Sequence, residues 1–155
     1  DAVDQAQKVF HLHPPRPTCQ TEQLPLVGAA GYDPQGDRKL QQEFGLEADI
    51  ASHLNRAYGD RAGEVAALTR QGYGARLSAE FPYLEAEVLY TVRKEMAERV
   101  IDVLARRLPL ALLDTAAAQN AANRVLEIMA KELGWSAEKR QTEQLWTEQR
   151  LSDAL

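Results

Sequence analysis

F-P-Y-L-E-A-E-V-L-Y-T-V-R-K-E-M-A-E-R-V-I-D-V-L-A-R-R, Phe81 to Arg107, is the longest strongly patterned stretch of the chain. Leu89, Val92, Met96, Val100 and Val103 recur at three- and four-residue steps, so they share one stripe of an amphipathic helix. Pro82 is placed to open that helix, because proline is tolerated in a first helical turn. Pro109 lies just past its end and cannot continue it.

The charges of this stretch divide into two groups. Glu87, Glu95, Glu98 and Asp102 fall away from the stripe, where solvated charge belongs. Glu95–Arg99 and Asp102–Arg106 are spaced as i,i+4 pairs in the favourable acid-first order. On a straight helix Glu85, Arg93, Arg106 and Arg107 project onto or beside the apolar stripe, and buried charge is costly unless paired. Either that face meets complementary charge, or the helix breaks near Lys94 and Glu95 and its second half rotates the arginines back to solvent.

With 155 residues, the chain can build one domain with a real core. An apolar fraction of 45% and a charged fraction of 26% are ordinary for a soluble globular protein. The net charge of −5 argues against a nucleic-acid partner, which wants a basic face. The single cysteine, Cys19, rules out an internal disulfide. No apolar run reaches the ~18 residues of a spanning helix.

Residues 1–10 read as the end of a helix. Residues 11–36 hold Pro14, Pro15, Pro17, Pro25 and Pro34 and read as an irregular lead-in, with Leu24-Pro25-Leu26-Val27 apolar enough to dock on a surface. His11, His13 and Cys19 fit no zinc spacing, so no metal site is assigned. Helices follow over 37–44, capped by Asp37 and stopped by Gly45, over 47–58, closed by Gly59, and over 62–71. After the central helix, Asp114 caps 115–133, with Gly134 as the left-handed stop. Ser136 caps a last helix to about Leu151, lightly attached through Leu145 and Trp146. The fold class is all-α: a compact bundle of about six helices, with 83–107 packed on 115–133. The domain division is 1–36 as lead-in and 37–155 as the helical domain.

Catalytic machinery is not evident. There is no G-x-G-x-x-G after a strand, no P-loop, and no serine or cysteine nucleophile with a spaced base. Glu85 and Glu87 point to different sides of a helix and make no dyad. His53, beside an apolar face, has no acid spaced to assist it and reads as a packed helix histidine. No catalytic, cofactor-binding or metal-binding residue is therefore assigned.

Leu84–Val88, Tyr90, Arg93, Glu95, Asp102 and Arg106–Arg107 resemble the signature of the C-terminal helical domain of FAD-dependent glycerol-3-phosphate dehydrogenases. So do Cys19-Gln20-Thr21-x-x-Leu24-Pro25-Leu26-Val27-Gly28-Ala29, Ala57-Tyr58-Gly59-Asp60-Arg61-Ala62, and Glu127-Ile128-Met129-Ala130-x-Glu132-Leu133-Gly134-Trp135-Ser136. The resemblance covers nearly the whole chain and departs at Leu108–Pro109, which alters the turn expected there. It implies a cap on a flavin-binding domain of the same chain, with residues 1–10 as the tail of that domain's last helix. FAD, glycerol 3-phosphate and the quinone acceptor would be handled by the parent enzyme, peripheral to a bacterial or mitochondrial inner membrane, with a homodimer left open. Glu85, Arg93, Glu95, Asp102, Arg106 and Arg107 are expected to form a structural charge network within the cap or at its boundary with the flavin domain. The alternatives are the corresponding domain of an oxidase passing electrons to oxygen, and a free-standing helical interaction module.

Overall fold

The computed structural model describes residues 2–11 and 21–153. Of the lead-in residues singled out above, His13, Pro14, Pro15, Pro17 and Cys19 lie outside the described residues. Helix α1 spans Ala2–Phe10, and residues 21–35 are turns and irregular backbone. Then come α2 (Gly36–Phe44), α3 (Ala48–Tyr58) and α4 (Ala62–Leu68), the last running into a wide π turn at Thr69–Tyr73. Helices α5 (Glu85–Lys94), α6 (Leu110–Leu113), α7 (Thr115–Glu132) and α8 (Ala137–Ser152) complete the order, with a π-helical segment at Asp102–Arg107 between α5 and α6. Among the described residues the one sheet-like pairing is an isolated antiparallel bridge between Arg76 and Leu84. The expected all-α class holds.

Helix ends follow the local chemistry in most places. Gly45 takes the left-handed conformation, with φ 67°, and ends α2. The Asp114 carboxylate accepts from Ala117 N–H at 2.9 Å, and Ser136 Oγ accepts from Lys139 N–H at 3.1 Å. Gly134, with φ 64°, lets Trp135 N–H turn back to the Ala130 carbonyl at 2.9 Å. Two starts differ from expectation. Asp37 sits inside the first turn of α2, and no side chain caps that helix; Asp33 instead accepts from Gln35 N–H at 3.0 Å. Pro82 lies in the turn before α5, whose true opening is Leu84: the Glu87 carboxylate reaches back to Leu84 N–H at 2.8 Å, one half of a capping box.

The core runs through Leu54, Val65, Leu84, Val88, Leu89, Val103, Leu104 and Leu110, each fully buried. Helix α5 sits at its centre, against α4 on one side and α7 on the other. Every residue from Glu85 to Thr91 is buried, so α5 has no solvated face in its first two turns.

The central stretch is broken, as one of the two sequence readings allowed. Helix α5 stops at Lys94, and Met96 adopts a left-handed backbone, with φ 54°. The break leaves helix-end groups that need partners. The Asp102 carboxylate accepts from Glu98 N–H at 3.2 Å and Arg99 N–H at 3.0 Å. Glu143 accepts from Val100 N–H at 3.1 Å, and Arg107 donates to the Glu95 carbonyl at 2.7 Å. Met96, expected in the apolar stripe, is consequently exposed.

Helix α8 is held more firmly than the sequence suggested. Its buried residues are Glu143, Thr147 and Leu151, whereas Leu145 points to solvent and Trp146 is partly buried. The Glu143 carboxylate, fully buried, takes bonds from Arg99 Nε at 3.2 Å and Lys139 Nζ at 3.2 Å besides the Val100 amide. The Arg99 guanidinium in turn lies 3.3 Å from the Trp146 ring centroid. Next to it in the chain, the buried Thr147 hydroxyl has no hydrogen-bond partner among the described residues. Thr147→Val keeps the shape and removes that hydroxyl, so it is expected to be neutral or to stabilise by up to about 1 kcal/mol. Urea midpoints of the two proteins check this; a loss beyond about 1 kcal/mol would mean the hydroxyl is satisfied in solution.

Candidate interaction face and the buried carboxylates beneath it

Ala57–Ala62, the A-Y-G-D-R-A segment, carries the chain from α3 into α4 and shapes one side of a cleft of about 480 Å³. Tyr58, Arg61 and Glu64 line that side, Tyr90, Lys94 and Glu95 at the end of α5 line the other, and Val27 closes it. Val27 is brought there by a tight backbone approach. Gly28 accepts from Asp60 N–H at 2.9 Å, and Gly31 N–H donates to the Asp60 carboxylate at 2.9 Å. Gly28 and Gly59 both have positive φ, 90° and 57°, and a Cβ on Gly28 would stand 2.6 Å from the Tyr58 carbonyl oxygen. Only glycine allows both the conformation and the approach. The neighbouring Leu24 and Leu26, read as apolar enough to dock on a surface, are exposed with Val27.

Beneath the cleft lies a cluster that sequence reading missed. Glu87 is fully buried rather than solvated. Its carboxylate is bonded to His53 Nε2 at 2.7 Å and accepts from the Tyr58 hydroxyl at 2.9 Å, besides the Leu84 amide. His53 therefore does have an acid to assist it, supplied from a different helix. Its ring packs edge-on against Tyr83 at 5.0 Å. Burial, then the adjacent Glu87, pushes the Tyr58 phenol far above its ordinary value, so it stays protonated and donates. Glu87 has no solvent access, and through His53 and Tyr58 it ties α3 to α5. The only usable signal was the family-like Y-L-E-A-E spacing, which puts a carboxylate three residues after the Leu84 start.

The six charged residues singled out from the sequence form separate pairs. Buried Glu85 is held by Arg124 of α7 through Nε at 2.7 Å and Nη2 at 2.9 Å. Arg93, half exposed, makes a two-pronged bond to Glu132, at 2.6 and 3.0 Å. Glu95 pairs with Arg107 at 3.4 Å instead of with Arg99, and burial holds its carboxyl above the ordinary glutamate range, partly offset by Arg107. Asp102 pairs with Arg106 at the expected i,i+4 spacing. Among the described residues no group of three or more His, Cys, Asp or Glu is arranged to hold a metal, and no helix is long and apolar enough to cross a membrane.

The Arg93–Glu132 pair yields a pH-dependent expectation. The Arg93 guanidinium holds the Glu132 carboxyl below its ordinary value of 4.5. A lowered folded pKa means the stabilisation is complete above that value and is lost as pH falls through the folded one. A double-mutant cycle with Arg93→Ala and Glu132→Ala should give a coupling of about 0.5–1 kcal/mol at neutral pH, because the pair is partly solvated. The coupling should be lost in acid, well below 4.5, once the carboxylate has taken up a proton. Equal coupling at both pH values would show that Glu132 is not the titrating partner.

Residues 19–140 match the model of the C-terminal domain of alpha-glycerophosphate oxidase. The chain belongs to this family. It is similar to the mitochondrial glycerol-3-phosphate dehydrogenase of Mesocricetus auratus, 41% identical over 92% of this chain and 20% of that protein. The mitochondrial glycerol-3-phosphate dehydrogenase SDP6 of Arabidopsis thaliana is 37% identical over 92% of this chain and 25% of its own length. A probable mitochondrial glycerol-3-phosphate dehydrogenase of Caenorhabditis elegans is 45% identical over 77% and 17%. The chain thus spans about a fifth of the length of the curated relatives it matches. No solved structure matches it. The matched region takes in the helical body from α2 to the start of α8, with the cleft and the buried Glu85 and Glu87 inside it and Glu143 just beyond it.

Proposed function

We propose that this chain is the non-catalytic C-terminal cap of an FAD-dependent glycerol-3-phosphate dehydrogenase. The parent enzyme oxidises sn-glycerol 3-phosphate to dihydroxyacetone phosphate, and the electrons reduce a membrane quinone to quinol. What carries the reading is the family match together with the share of each relative that this chain spans. In this reading residues 1–36 are the tail and linker from the flavin-binding domain, and 37–155 are the cap. The parent sits peripherally on a mitochondrial inner or bacterial cytoplasmic membrane surface.

The residues present do not suit FAD. A dinucleotide needs a glycine-rich turn from strand to helix and a positive environment for its pyrophosphate. The space at Gly28 is instead taken by the Tyr58 carbonyl and that at Gly59 by the Gly28 carbonyl, and the cleft carries Glu64 and Glu95 beside Arg61 and Lys94. FAD and the substrate phosphate are therefore assigned to the rest of the parent. The charges Glu85, Arg93, Glu95, Asp102, Arg106 and Arg107 serve to join α5 to α7 and to close the break after Lys94.

The test is the visible spectrum of this chain beside that of the full parent, with dye reduction by glycerol 3-phosphate. A colourless, inert chain beside a yellow, active parent is expected. A yellow 155-residue chain would overturn the division of labour. Oxygen consumption without quinone reduction in the parent would select the oxidase alternative.

A further inference from the structure

The cleft of about 480 Å³ holds two donors that the described residues leave unused. Tyr90 lines it and is only 7% exposed, yet its hydroxyl makes no hydrogen bond among the described residues. The polar tip of a buried side chain is ordinarily hydrogen-bonded. Burial, then the nearby Glu64 and Glu95, raises that phenol above its ordinary value, so it keeps its proton and can donate. Its ring is held edge-on against Tyr58, the centroids 5.3 Å apart. Lys94, exposed on the same cleft, has no ion-pair partner among the described residues. The other charges there are matched: Glu64 accepts from Arg61 Nη1 at 2.6 Å, and Glu95 pairs with Arg107 at 3.4 Å.

One unmatched cation and one neutral donor call for an acceptor bearing a single negative charge. A second charge would be repelled by Glu64 and Glu95. A phosphate monoester carries nearly two charges at neutral pH, whereas a carboxylate carries one. The rest of the lining is apolar. Val27 and Ala57 contribute side chains, and Tyr58, whose hydroxyl is taken by Glu87, offers its ring. The Val27 wall is set by the Asp60 bonds to Gly28 and Gly31, so the cleft is formed before anything enters it. Its volume is in the range of small-molecule sites. We infer that this cleft binds a small organic monocarboxylate, with the carboxylate on Lys94 Nζ and the Tyr90 hydroxyl and the apolar body against Val27, Ala57 and the Tyr58 ring. The inference stands on this domain's own residues and does not depend on the reading of the chain as a cap.

Lysine acetylation of the full-length protein by an N-hydroxysuccinimide ester, read by peptide mass spectrometry, tests this with benzoate as the probe. At ~20 mM benzoate, Lys94 should acetylate about fivefold more slowly than without it, as for a Kd of a few millimolar. Lys39, exposed and bonded to Asp33 away from the cleft, should keep its rate. Acetate, which lacks the apolar body, and benzyl alcohol, which lacks the charge, should each slow Lys94 by less than about twofold at the same concentration, and inorganic phosphate should do no better. Tyr90→Phe removes a hydroxyl that bonds nothing in the domain, and it should cut the benzoate protection to about twofold or less. Lys139, held by the buried Glu143, should acetylate at the same rate in that variant, which shows that the fold is kept. The inference is overturned if benzoate leaves the Lys94 rate unchanged, or if phosphate protects as well as benzoate, which would mean simple shielding of an exposed cation. It also falls if full protection survives Tyr90→Phe. Should Lys94 be unreactive before any probe is added, the cleft is covered in the full-length protein and is no ligand site.

Discussion

Glu87→Ala is expected to cost this domain about 3–5 kcal/mol, the largest effect of any single charged residue here. The carboxylate has no solvent exposure and satisfies three donors at once: His53 Nε2, the Tyr58 hydroxyl and the Leu84 amide. Its removal leaves a partly buried phenol and a buried amide without an acceptor, each worth about 1–3 kcal/mol when fully desolvated. At this chain length the loss corresponds to a fall in Tm of about 10 °C or more. Tyr58→Phe, which removes one bond and leaves the carboxylate two donors, should cost only about 1 kcal/mol. Chemical denaturation of the three proteins separates the cases. A Glu87→Ala midpoint close to the wild type would place Glu87 in solvent, and with it the clamp between α3 and α5 would disappear.

Glu143→Ala is the second large effect, at about 2–4 kcal/mol, and it should be local. The buried Glu143 carboxylate receives the Val100 amide exposed by the central break, and it binds Arg99 and Lys139. Without it, Arg99 is left beside Trp146 with no carboxylate and the amide has no acceptor. Hydrogen exchange should therefore accelerate across α8 and residues 97–101 while α3 and α4 keep their protection. Uniform acceleration across the domain would show instead that α8 unfolds only with the whole. Tryptophan fluorescence offers an independent readout, since Trp146 loses its stacked guanidinium when α8 loosens.

The elements set by short-range chemistry were legible. Asp114 and Ser136 cap α7 and α8, and Gly45, Gly59 and Gly134 stop the helices before them, because a cap or a left-handed stop involves residues within one turn. The failures share a cause. Glu87 reads as solvated because the apolar stripe of an amphipathic helix defines an opposite, wet face. Helix α5 has no such face over Glu85–Thr91, being enclosed there by α4 and α7, so both Glu85 and Glu87 are buried and each finds a cation or donors on a different neighbour. Glu95 reads as the partner of Arg99 because the two are four apart. The break after Lys94 takes them off a common helix, and Arg107 and Glu143 become the partners. In α8, the exposed Leu145 and the buried Glu143 invert the usual inference from polarity, because Val100 and Arg99 happen to face that carboxylate.

By itself the amino-acid sequence determined the all-α class, most helix limits, and the resemblance that the family match supports. Those depend on periodicity and on residues close along the chain. The tertiary structure alone decided which charges meet: His53 with Glu87, Glu85 with Arg124, Arg93 with Glu132, and Arg99 with Glu143 lie 34, 39, 39 and 44 residues apart. An ion pair of that separation leaves no periodic trace in the sequence, since any of several carboxylates would satisfy the same arginine. Packing chooses among them by burying one and leaving the others in water, where a pair is worth little.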